Sequence, residues 1–389
     1  MKQGYRKLGD FIRQVDVRNK DLLIDKLLGV SITKSFIPSI ANTVGTDFSN
    51  YKIVRKGQFA YGPVTSRNGE KISIALLRED DCIISSSYSV FEIICSELNA
   101  EYLMLWFMRP EFDRYARYKS HGSVREIFDW EELCSVELPV PNIEKQLEIV
   151  NSYNAIENRI ALKRKINDNL LSIGISIIQK HCGTCALINY SEAEIENIIL
   201  KDGFSIKSIS DFCIDTKSGS TPSRSNDEYW RNGTIPWVKS GEVHNNITLQ
   251  TEECITPVGL NGSSTKLLPP DTVLMAMYGV TAGKVGYLAI GATTNQAICG
   301  MICATKSESA YLFFALLQSQ SNISRLSNGG AQDNLSKNFI DSIKLLVPPS
   351  KELENMNLSS IIEQMRLNYQ EMIVLEKIQT TVLALLSSN

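Results

Sequence analysis

What most constrains the fold is that the chain is written twice. Shifted by 207 residues, the stretch from His121 to Pro141 falls on Asn328 to Pro348 without a gap. Gly122 meets Gly329, Phe128 meets Leu335, and Leu138, Val140 and Pro141 meet Leu345, Val347 and Pro348. Upstream, Tyr102-Leu103 meets Tyr311-Leu312, and Leu8-Gly9-Asp10-Phe11 resembles Ile209-Ser210-Asp211-Phe212. A repeat this long makes each copy a folding unit in its own right. Each copy shows an apolar helix (near 100–118 and 309–327), a glycine loop, a short helix, and an alternating strand of Val136, Leu138, Val140 or Ile343, Leu345, Val347. A Val-Pro then ends the strand, because proline cannot donate to a sheet ladder. Segments 71–77, 82–86, 272–277 and 297–303 read as further strands, so each copy is expected to be a β-rich head.

A long helix is expected after each head. Apolar residues recur at spacings of three and four through Leu358, Ile361, Met365, Met372, Leu375, Val382 and Leu386, with Asn368 and Gln379 completing the rhythm of a coiled coil. In the earlier helix Ile156, Ile160, Ile166, Leu170, Ile173 and Ile177 are expected to line one face. A single buried core helix would explain one such segment, but not two, each about 60 Å long at helical rise. The expected organisation is a first head (1–142), a long helix (143–182), a linker (183–199), a second head (200–349) and a second long helix (350–389). The fold class is α+β, two similar heads joined by two long antiparallel helices.

Composition narrows the function less. The net charge is −3. Residues 1–142 hold 19 basic and 19 acidic side chains, and residues 200–348 hold 12 of each. A nucleic-acid partner would therefore need the cations gathered on one face. Residues 1–7 lead into no apolar stretch and 18 apolar residues never run together, so a cytoplasmic protein is expected. The nine cysteines read as buried free thiols, and Cys182-Gly183-Thr184-Cys185 lacks the second pair that a zinc site needs. The three histidines, His121, His181 and His244, lie apart, so no metal or acid–base cluster is expected on them.

Wording within the second head is more specific. Gly219-Ser220-Thr221-Pro222-Ser223 is followed by Tyr229-Trp230 and Ile235-Pro236-Trp237-Val238, then by Leu268-Pro269-Pro270-Asp271-Thr272-Val273 and Thr294-Asn295-Gln296-Ala297. In this order, inside a repeat with long helices, the chain resembles the specificity subunits of type I restriction-modification systems over its whole length. The first head departs from the pattern: it lacks Gly-Ser-Thr-Pro, and Lys56-Gly57-Gln58-Phe59 stands where the second has Pro270-Asp271-Thr272-Val273. The resemblance implies that each head is a target recognition domain reading one half of a bipartite sequence in double-stranded DNA. It also implies that the helices pair antiparallel and set the distance between heads, and that two methyltransferase subunits and further restriction subunits dock on the chain. S-adenosylmethionine, ATP and magnesium would then belong to those partners, with no cofactor, metal or catalytic residue here. The specificity module of another restriction-modification type, or a coiled-coil scaffold with two ligand-binding heads, stays open as an alternative.

The motifs of a self-sufficient enzyme are missing. Pro269-Pro270 and Pro348-Pro349 lack the preceding Asn or Asp and the following aromatic residue that grip a flipped base. Ala282-Gly283-Lys284-Val285 lacks the hydroxyl residue of a phosphate loop. Candidate DNA contacts are Arg67, Lys71, Lys119 and Arg125 in the first head, and Thr221, Arg224, Lys239, Tyr278, Lys284, Asn295, Gln296 and Gln332 in the second. Arg125 and Gln332 fall at equivalent places in the shared glycine loop, where Arg suits guanine edges and Gln suits adenine. A surface role for Arg114 and Arg117, paired with Glu111 and Asp113, is the competing reading of the first loop. Tyr229, Trp230, Trp237 and Trp106 are expected in the head cores.

Overall fold

Strand pairing repeats as the sequence does. In the computed structural model, which describes residues 4–39, 45–66, 69, 71–122, 126–188, 190–198, 200–327 and 334–386, the first head holds a sheet with spatial order Ile12–Val15, Ser89–Ile93, Phe59–Tyr61, Ile74–Leu76. The second head repeats it with Asp215–Ser218, Ile298–Ile302, Thr272–Ala276, Val285–Leu288, and adds Ile247–Thr248 at the edge. The shared pairs are all antiparallel, and Phe59 lies opposite Phe91 as Val273 lies opposite Met301. Those central residues are fully buried, so the register is held by the apolar face it covers. A second pairing also recurs: Tyr5–Lys7 with Glu137–Pro139, and Ser205–Ser208 with Lys344–Val347.

The expected apolar helices are each broken in two. Ala100–Met108 is followed by Pro110–Lys119, with Pro110 in the first turn where its missing N–H leaves no helical bond unmade. In the second copy Lys306–Gln318 and Gln320–Ser327 are separated at Ser319. The stretch expected as a linker, 183–199, begins with residues that pack on the second head. Cys185, Ala186 and Leu187 are buried, and the Leu187 amide donates to the Lys344 carbonyl at 2.8 Å, next to an isolated antiparallel bridge between Ala186 and Leu345.

The chain divides into two compact units, Met1–Ile160 with Leu375–Asn389, and Ala161–Val374. Each contains a head and two stretches of long helix. One helix runs unbroken over Ile143–Cys182. The other is interrupted: Ser350–Asn355 ends before Asn357, whose backbone is left-handed, and Leu358–Leu385 follows. In the first unit Val382 and Leu386 pack with Val150 and Tyr153 against the head core, and Gln379 donates to Glu157 at 2.5 Å. In the second unit Leu358, Ile362 and Met365 pack with Ile178 in the head core, beside half-buried Leu170, Leu171, Ile177 and Ile361. Asn368 donates to Asn167 at 2.7 Å, and His181 lies 3.0 Å from Glu352. Partner numbers rise on one strand of each pair as they fall on the other, so the stretches run antiparallel within each unit.

The seam of the later helix is the expected one: Leu358, Met365, Met372 and Leu386 are buried, while Ile361, Leu375 and Val382 are half-buried. The earlier helix needs a correction. Ile160 is buried and Ile156, Ile166, Leu170 and Ile177 are half-buried, but Ile173 is 49% exposed. The buried positions run through Ile160, Asn167, Gly174 and Ile178, which keeps the spacing of a heptad seam. Two of them hold no apolar side chain. Gly174 is there because the ring of Phe314 lies against it, where any Cβ would collide. Asn167 meets Asn368 in a buried polar layer, joined by Lys163, which donates to Asn368 at 3.0 Å and pairs with Glu371 at 2.8 Å.

Candidate nucleic-acid interface

Several second-head candidates leave the sheet at one end. Ala276 faces Ile298, and the Met277 amide donates to the Ala297 carbonyl at 2.8 Å. Tyr278 therefore emerges beside Asn295-Gln296-Ala297. Ser218 faces Cys299, so the Gly219-Ser220-Thr221 loop starts at this same end. Gly219 can occupy its place only as glycine, because a Cβ would strike the carbonyl oxygens of Thr294 and Asn295. Thr221 Oγ1 donates to Gln296 at 2.5 Å, which ties two of the candidates together. Asn295 serves the turn itself: its side chain accepts from the Ala297 amide, and its own amide donates to Val238. Gln296 is exposed, and its side-chain oxygen is the acceptor of that Thr221 bond.

Arg224 lies over two indoles, 3.7 Å from the ring centre of Trp230 and 4.8 Å from that of Trp237. The rings are perpendicular at 5.0 Å. Trp237 is buried as expected, but Trp230 and Tyr229 are only half-buried, because the Trp230 ring is one wall of this surface box. Its N–H donates to the Ser223 carbonyl and that of Trp237 to Ser220, so both rings are fixed by the loop they support. The exposed edge of the guanidinium pairs with Glu253, which also pairs with Lys239 at 3.4 Å; Lys239 further engages Glu252. The Arg224 hydrogen bond holds the Glu253 carboxyl below the usual carboxylate range, and the Glu252 bond raises Lys239. Lys284 closes the hairpin that carries Tyr278 and forms no ion pair among the described residues.

The first head has the same loop end with different contents. The Thr65 amide donates to the Glu126 carbonyl and the Phe128 amide to Pro63, which places Glu126 to Phe128 beside the segment that follows Phe59–Tyr61. Lys71 is exposed on that hairpin, and Lys119 lies 3.3 Å from Glu132. Arg114 pairs with Glu111, as the surface reading expects, but Arg117 pairs with Glu126 instead of Asp113. Asp113 is buried. It takes the ammonium of Lys34 at 2.7 Å and the Ile72 amide at 3.1 Å, and Lys34 also donates to the Phe107 carbonyl. Burial pushes the Lys34 pKa down, against the pull of Asp113. Arg67, Arg125 and Gln332 lie outside the described residues.

Cys182 and Cys185 are both buried, and Cys185 is held as a neutral thiol by its contact with Cys182 and by burial. Among the described residues, no group of three His, Cys, Asp or Glu side chains is placed to hold a metal ion, and no helix is long and apolar enough to cross a membrane.

Two similar β heads with loop chemistry of this kind match a known family. Residues 6–172 and 201–376 each match the type I restriction modification DNA specificity domain. The chain belongs to that family. It is a type I restriction-modification specificity subunit with two tandem specificity domains. Among curated relatives it is 22% identical over 366 residues to the specificity subunit of type I restriction enzyme HindI from Haemophilus influenzae, covering 78% of this chain and 79% of the relative. It is 27% identical over 143 residues to the EcoR124I/EcoR124II specificity subunit from Escherichia coli, covering 36% and 35%. The crystal structure of the S subunit from M. genitalium shares the fold, with a TM-score of 0.55 and 14% identity over 98% of this chain and 95% of that one.

Proposed function

We propose that each head reads one half of a bipartite DNA target at its loop end, and that the chain delivers partner methyltransferase and restriction subunits there without catalysing a reaction itself. The observation that carries this is the pair of sheets: one strand order built twice, with the equivalent loop ends holding different side chains. A repeated scaffold with unlike loops suits two unlike half-sites. In the second head Arg224, Gln296, Thr221 and Tyr278 are assigned to base edges, and Lys239 and Lys284 to phosphates, which position the protein without reading sequence. In the first, Lys71 and Lys119 are assigned to phosphates, while Arg67 and Arg125 remain candidates from sequence. Gln332 has the same status in the second.

The near-neutral heads are compatible with this because the acids beside the loop end are partners of its cations. Exposed ion pairs are worth about 0–1 kcal/mol, so a base edge can replace Glu253 at Arg224, and a phosphate can replace it at Lys239, at little cost. S-adenosylmethionine, ATP and magnesium act in the partners, two methyltransferase subunits among them, and the assembly works in the cytoplasm. The test is methylome sequencing of a host with and without this chain, the partner methyltransferase being present in both. The expected result is methylation of one new bipartite sequence that depends on the chain. Methylation at an uninterrupted sequence, or unchanged without the chain, would contradict the proposal.

A further inference from the structure

The hairpin between Thr272–Ala276 and Val285–Leu288 carries an apolar knob at its tip. Val280 is 102% exposed, the most exposed large apolar side chain among the described residues. Single exposed apolar residues are ordinary on protein surfaces. Three observations set this one apart. First, the turn beneath it is built. Gly279 and Gly283 are both left-handed, the Ala282 amide donates to Gly279, the Gly283 amide to Ala276, the Lys284 amide to Thr281, and Ser324 donates to the Ala282 carbonyl. Second, the hairpin leaves the sheet at the end that also carries Gln296 and the Thr221 loop. Third, its neighbour Tyr278 is 40% exposed and forms an isolated antiparallel bridge with Asn334.

We infer that Val280 is a specificity-determining residue that packs on the 5-methyl group of a thymine in the half-site of the second head. This rests on the proposed DNA-reading role of that head and names one of its contacts. The chemistry fits the side chain. Val280 has nothing to donate or accept, so it cannot read a hydrogen-bonding edge, and the thymine methyl is the apolar feature that the major groove displays. A β-branched side chain has one preferred rotamer and loses little freedom on contact. Its short reach suits a methyl better than a wedge between base steps, which calls for a larger side chain.

The test uses the full chain assembled with its methyltransferase partner, on target duplexes in which each thymine of the second half-site is replaced in turn by deoxyuridine, which removes only the methyl. At one position the wild-type assembly is expected to bind the uridine duplex about fourfold more weakly, the worth of one buried methyl-sized group. In Val280→Ala that preference should fall close to one, and Val280→Ile should restore it. A thymine preference that survives in Val280→Ala, or no thymine preference at any position in the wild type, would overturn the inference. Failure of the wild-type assembly to select any bipartite target would instead overturn the DNA-reading role itself, so the two failures are distinct.

Discussion

Beside the sheet of the first head, Lys34 is buried against Asp113 at 2.7 Å, with side chains only 6% and 11% exposed. Beside the sheet of the second, Arg224 and Lys239 stay at the surface and share Glu253. The strand order around these charges is the same. What the two heads have in common is therefore the strand order and its buried central register, Phe59 on Phe91 and Val273 on Met301, whereas their polar groups differ. Charge in the first head includes a pair that ties the Pro110–Lys119 helix to the hairpin through Ile72. Charge in the second stays at the surface of the loop end, where Arg224 and Lys239 share Glu253.

The largest expected effect lies in the first head. Lys34→Met leaves Asp113 buried without its cation, and breaking a buried pair from one side costs about 3–5 kcal/mol. Amide hydrogen exchange at Ile74–Leu76 should report that loss, with the strands of the second head as the internal control. A double variant, Lys34→Met with Asp113→Leu, should recover part of it, since replacing a whole buried pair by apolar groups is near neutral while the buried Ile72 amide loses its acceptor. A loss below about 1 kcal/mol for the single variant would place Lys34 among ordinary surface pairs and remove the contrast between the heads.

A smaller effect is expected in the second head, and of opposite kind. Glu253→Gln frees Arg224 and leaves Lys239 with Glu252 as its one remaining acid, so binding to random duplex should tighten. Its dependence on salt should steepen by about 0.9 in log–log slope for each phosphate gained. The sign of the pH dependence follows from Glu253. Its folded carboxyl titrates below the ordinary value of 4.5, so the pairs are intact above that value and are lost only as pH falls through the lower one. The difference between Glu253→Gln and wild type should therefore stay constant from about pH 6 to 8. Unchanged affinity and slope would mean that these cations do not face DNA.

The repeat, the heads, the alternating strands before each Val-Pro and the later helix seam could all be read from sequence, because each is a local pattern with one period. The earlier seam was harder. A search for apolar residues passes over Asn167 and Gly174, and both make sense only against Asn368 and the Phe314 ring, far along the chain. The wording around Gly219, Trp230, Trp237 and Gln296 pointed to one region, but the box over Arg224 depends on pairing between segments that no spacing reveals. Lys34 and Asp113 look like any surface lysine and aspartate until the fold encloses them. Val280 gave no signal at all, since exposure at a hairpin tip is a property of the turn.

The most direct measurement of the central claim, that the two heads are independent readers, is an exchange of residues 200–348 for the corresponding head of a relative, followed by methylome sequencing of the host. The account predicts a new bipartite methylated sequence in which one half is changed and the other is that of the parent. A sequence changed in both halves, or changed in neither, would contradict it.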